Sequence, residues 1–146
     1  MKSSRTFVLF FVMMAVVPCF AHHMAVVVNK DNHLADISSA QLARICLLEG
    51  RKWADGKDVV LVLHKDSPGE MLTLEHLTHM SESELKAFLL SHKDGLTMAD
   101  SDADVLRIVE TTPGAVGLVG VRSINDQVNV LRVGGKLPME DGYLSH

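Results

Sequence analysis

The stretch Val59-Val60-Leu61-Val62-Leu63-His64-Lys65-Asp66-Ser67-Pro68-Gly69-Glu70 runs from an unbroken apolar segment directly into a helix start. Val59 to Leu63 carries no polar alternation, which predicts a buried strand. Ser67 offers a side-chain cap, and Pro68 fills a position whose N–H would lack a partner anyway. Met71, Leu74, Leu77 and Met80 follow at helical spacing. Upstream, the β-branched run Ala25 to Asn29 predicts another buried strand. Ser38 with Gln41 reads as a capping box, and Ile37 is placed to staple onto Leu42. That helix is expected to run to about Leu48 and stop at Gly50, ahead of an Asp55-Gly56 turn. Downstream, Ser81 with Glu84 and Ser101 with Asp104 mark two more helix starts, backed by Leu85, Phe88 and Leu89 and by Val105, Ile108 and Val109. Thr112-Pro113-Gly114 ends the last helix. Ala115 to Val121 predicts a strand in which Gly117 and Gly120 permit close backbone approach. Gln127 to Val133 predicts a final strand, paired with that neighbour across a Ser123 to Asp126 turn. The order strand, helix, strand, three helices, strand, strand predicts an α/β domain with a small mixed sheet and helices on its faces, a three-layer arrangement.

The chain has 146 residues, 47% apolar, 22% charged and 5% aromatic, which fits one domain and excludes a large enzyme. Lys2 and Arg5 precede an apolar block from Phe7 to Val17, shorter than the roughly 18 residues needed to cross a bilayer. With the small Ala21 these features predict a secretory signal peptide over 1–21. The mature domain is then 22–146, periplasmic and without a membrane span. Losing Lys2 and Arg5 takes the formal charge from −4 to −6, a sign that excludes a general nucleic-acid binder. Cys19 falls in the removed segment, and Val16-Val17-Pro18 before it is a poor lipid-attachment site. Cys46 is left without an intrachain partner; on a stripe with Leu42 and Ile45 it reads as a small buried hydrophobe.

Taken in order, Ala25-Val26-Val27-Val28-Asn29-Lys30, the Ser38 to Leu48 helix, Trp53-Ala54-Asp55-Gly56, Ser67-Pro68 at a helix start and Thr112-Pro113-Gly114-Ala115-Val116-Gly117 resemble one lobe of the phosphate-type periplasmic substrate-binding proteins of ABC transporters. The likeness covers Met24 to about Val121. It implies one lobe of a type II periplasmic-binding-protein fold and a non-catalytic role in holding a small oxyanion. In that family an arginine and a Ser-Gly-Thr run surround the anion at a helix N-terminus. The corresponding stretch here is His64-Lys65-Asp66-Ser67-Pro68-Gly69-Glu70. Ser67 is kept in type, no arginine is present, Pro68 removes an N–H donor, and Asp66 and Glu70 repel an anion unless they point away. Leu118 stands where many relatives have an aromatic residue. The length is that of one lobe of a two-lobed receptor, so a second copy or another subunit is expected to complete any closed cleft.

The expected ligand-binding residues are therefore Ser67, Gly69, His64 and Lys65, for phosphate or another small oxyanion, with Ser67-Pro68 as a plain helix cap the competing reading. No cofactor, catalytic or metal-ligating residue is expected. His76 and His79 share a helix face but lack a third ligand on their own element. Asp100, Asp102 and Asp104 lack the glycine and terminal glutamate of a calcium loop and read as helix-dipole capping. Ser67 and His64 do not form a nucleophile elbow, and the sequence places no carboxylate beside His64. Two functions follow. One is an exported substrate-binding-like protein serving an ABC permease or a sensor. The other is a ligand-free interaction module of an envelope, sensory or secretion assembly.

Overall fold

The computed structural model describes residues 23–144; the expected signal segment 1–21 lies outside the described residues. The elements are β1 (Met24–Val28), β2 (Asp36–Ile37), α1 (Ser39–Cys46), β3 (Val60–His64), α2 (Pro68–Thr78), α3 (Glu82–Ser91), β4 (Thr97–Ala99), α4 (Asp102–Thr111), β5 (Ala115–Gly120), β6 (Asn129–Val130) and β7 (Arg132–Val133). Five strands form a sheet in the order β4-β3-β5-β1-β6, while β2 and β7 pair separately. Parallel pairing joins β4, β3 and β5; β1 runs antiparallel to β5 and β6. The sheet is mixed, as expected from the sequence.

Alternation along the central strands builds the two faces. Val26, Val28, Leu61, Leu63, Val116 and Leu118 join a core with Leu42 and Ile45 of α1, Leu74 and Leu77 of α2 and Leu85 of α3. Val27, Val62 and Val119 turn the other way, onto Val105, Leu106 and Val109 of α4. Gly117 sets the height of that second layer, because a Cβ there would stand 2.8 Å from Val105 Cγ1. The result is three layers around strands that are almost wholly buried.

The helix starts follow their caps. Ser38 and Gln41 form both halves of a capping box, whereas Ser67, Ser81 and Ser101 each accept the N–H three residues on. Asp104 departs from the expected box: its Oδ2 accepts the Asp100 N–H rather than that of Ser101. Cys46 is buried, and burial pushes its thiol up to about 12, as its place on the apolar stripe predicted.

The C-terminal segment differs from expectation. The run Gln127 to Val133 splits into β6, which pairs with β1, and β7, which pairs in parallel with β2. Both edges of β5 are already taken by β1 and β3, so the last strand cannot pair with it. Leu131, fully buried, separates the two pieces and donates its N–H to Val26 O. Tyr143 then closes the fold: its hydroxyl donates to Leu131 O at 2.6 Å and accepts the Val26 N–H at 3.1 Å. Asn29, also buried, donates its amide to the last carbonyls of α4, at Val109 and Glu110, which satisfies part of that helix end.

Candidate functional site

The parallel strands β3, β4 and β5 all end at one edge of the sheet, and α2 and α4 begin there. In open α/β sheets this end is where ligands are held, because loops and helix N-termini converge on it. His64 is the last residue of β3. Asp66, in the left-handed region at φ +60°, turns the chain so that Ser67 can cap α2. The Ser67 hydroxyl accepts the Glu70 N–H at 3.3 Å, so that donor is already used. Pro68 has none, and Gly69 contributes a backbone N–H beside Met24, whose Sδ would lie 3.3 Å from a Cβ at that position. Lys65 is exposed and its backbone N–H donates to Ala99 O at 2.8 Å, tying the loop to β4. The four expected residues thus lie in sequence at the end of β3 and the start of α2, with Ser67 acting as a helix cap.

Two carboxylates that the sequence reading did not place among the binding residues organise this end. Glu70 is 2% exposed. Its Oε2 accepts the His64 backbone N–H at 2.7 Å, while its Oε1 is buried with no hydrogen-bond partner. Burial pushes this carboxyl up to about 8; the His64 N–H opposes the rise and the nearby Asp102 charge adds to it. Glu70 is therefore largely neutral near pH 7, and being buried in the first turn of α2 it does not present the repelling charge that the sequence allowed for.

Asp102, at the first position of α4, does not serve as a simple dipole cap. Its Oδ1 lies 3.0 Å from His64 Nδ1. Its Oδ2 accepts the Gly120 N–H at 2.9 Å and the Ser123 hydroxyl at 2.6 Å. Gly120 permits that approach, since a Cβ there would stand 3.3 Å from Oδ2. The contact fixes the tautomer of His64 with the proton on Nδ1 and leaves Nε2 as the remaining ring nitrogen. The structure thus supplies the orienting carboxylate that the sequence alone did not place. The partners are 18 to 38 residues apart, so no local motif announces them. Glu70 reads in the sequence only as an acid that repels an anion unless it points away, since burial of a single acid at a helix start leaves no local signal.

A separate cavity of about 600 Å³ lies between Ile37, Ile45, Trp53 and Arg44. Trp53 donates its indole N–H to Gly114 O, which places this cavity at the opposite end of β5, away from His64 and Ser67. Among the described residues no cluster of three or more His, Cys, Asp or Glu side chains is arranged to hold a metal ion. No described helix is long and apolar enough to cross a membrane.

The architecture is that of the phosphate receptors of ABC transporters. An ABC-type phosphate transport receptor from Vibrio cholerae superposes with a TM-score of 0.66 at 18% identity, over 80% of this chain and 48% of the receptor. PstS from Borrelia burgdorferi gives 0.64 at 16% identity, over 80% and 49%. A phosphate-binding protein from Stenotrophomonas maltophilia gives 0.65 at 18%, over 80% and 40%. This chain has their fold over half their length or less, the extent of a single lobe. No family model and no curated protein sequence matches it.

Proposed function

We propose that this chain is an exported, non-catalytic substrate-binding-like protein that takes phosphate or another small oxyanion weakly at the start of α2, in the service of an ABC permease or a sensor. What supports this reading is that Ser67 caps an 11-residue helix directly after β3, with His64, Lys65 and Gly69 in the same strand-to-helix turn, at the end of the sheet where open α/β folds hold ligands. Weak binding follows from the donor supply: Pro68 has no N–H, and the Glu70 N–H is taken by Ser67. A lone lysine gives a point charge rather than a bidentate fork. Solvent on the open side lowers the strength of each polar contact, so a second copy or another subunit facing this surface would strengthen capture. Residues 1–21 act in this reading as a cleaved signal peptide that delivers the domain to the periplasm.

Isothermal titration of the folded domain with phosphate and with sulfate tests the site. Millimolar binding, reduced at least threefold by Ser67→Ala with the circular dichroism unchanged, is the expected result. No heat at millimolar anion would overturn it. A second reading, a ligand-free interaction module, is favoured by the Asp102 carboxylate, which already satisfies three donors at this end.

A further inference from the structure

We propose that Asp102 is a built-in competitor at this site, its carboxylate occupying the donor set of His64 Nδ1, the Gly120 N–H and the Ser123 hydroxyl and thereby holding down the affinity for free anions. The inference rests on the location assigned above and concerns a different set of donors. Two carboxylate oxygens receive contacts at 3.0, 2.9 and 2.6 Å, from an imidazole, a backbone amide and a hydroxyl. This is the kind of charge-assisted shell that a bound oxyanion needs. The three donors come from β3, the end of β5 and the turn after it, while the acceptor comes from α4, so the shell is assembled by the fold. Asp104, in the same helix turn, pairs instead with Ser101, Asp100 and Arg107. Asp102 alone of the two reaches across to the strand ends.

Glu70 is a second carboxyl group tied to the end of β3. Glu70 Oε1, on a side chain 2% exposed, has no partner, although its other oxygen is bonded to the backbone of the residue whose ring holds Asp102. A buried polar atom left unpaired costs free energy. A free anion entering here finds the three donors engaged by Asp102. It has to displace that carboxylate or bind against its charge.

The test is titration of phosphate and sulfate into the wild type, Asp102→Ala, Asp102→Asn and Asp102→Ala/Ser123→Ala, with circular dichroism and melting temperature as checks of folding. Asp102→Ala is expected to bind at least tenfold more tightly than the wild type, and the added Ser123→Ala to reverse several-fold of that gain. Asp102→Asn keeps an acceptor for Gly120 while removing the charge, and is expected to tighten binding at least threefold; it decides the matter if the alanine variant does not fold. Folded variants that bind no better than the wild type overturn the inference. So does a gain that Ser123→Ala leaves untouched, which would mark a general charge effect. A wild type that binds in a Ser67-dependent way without any gain on removing Asp102 leaves the α2 site standing and discards this inference alone. A silent wild type beside a binding Asp102→Ala does the reverse. Silence from all four discards both.

Discussion

Glu70→Gln is the substitution whose effect can be worked furthest from the structure. The glutamine keeps an oxygen to accept the His64 N–H but cannot ionise. Burial holds the folded carboxyl at about 8 against an ordinary value of 4.5. The folded state therefore binds a proton that the unfolded chain releases between those values, and stability falls as pH rises through that window. Each pH unit is worth about 1.4 kcal/mol, so the wild type should lose about 3 kcal/mol relative to the variant between pH 5 and 7, and at most about 5 kcal/mol by pH 8. Urea unfolding followed by Trp53 fluorescence at pH 5, 6, 7 and 8 measures this directly. The quantity to plot is the difference in unfolding free energy between the two proteins, which cancels the groups they share. That difference should tilt in favour of the variant as pH rises and flatten above about pH 8. A difference independent of pH from 5 to 8 would refute the account of Glu70 as a buried, neutral acid.

Tyr143→Phe removes a donor from Leu131 O and leaves the buried Val26 N–H without its partner; a loss of about 2 kcal/mol and faster hydrogen exchange at Val26 are expected. Gly114 has φ +81°, and a Cβ there would stand 2.0 Å from Asp58 O. Gly114→Ala should therefore cost about 3 kcal/mol or more, seen as a collapse of the melting temperature. Cys46, with its thiol raised to about 12 by burial, should resist thiol reagents at pH 8 in the native state and react promptly in urea. Rapid native labelling would contradict its place in the core.

The central strands and the four helices could be read from the sequence because their signals are local. An apolar run of five or six residues, or a serine three places before a polar partner, is contained within one element. β2 and β4, at two and three residues, are too short to carry a pattern and exist only because a neighbouring strand offers them an edge. The pairing of the last strand was misread for a related reason: proximity in sequence favoured β5, but β1 had already claimed that edge. The site divides along the same line. His64, Ser67 and Gly69 lie in one turn and are visible as a motif. Asp102 meets His64 across 38 residues, and nothing within the Asp100 to Asp104 run tells which acid will reach across and which will stay in the helix turn. The charge state of Glu70 depends on burial, which the helix pattern does not reveal for a single acid at a helix start.

The Tyr143 hydroxyl joins Val26 to Leu131 across a separation of 117 residues from the first strand. The first described strand thus receives one of its hydrogen bonds from a side chain 117 residues downstream. Such contacts slow folding, because the entropy of closing a long loop is lost before the contact forms. A nascent chain that ends short of Tyr143 carries β1 with a buried amide still lacking its partner. β1 is sealed only once the turn carrying Tyr143 has been made, so an early strand of the domain is completed after the helices and strands that lie between β1 and Tyr143.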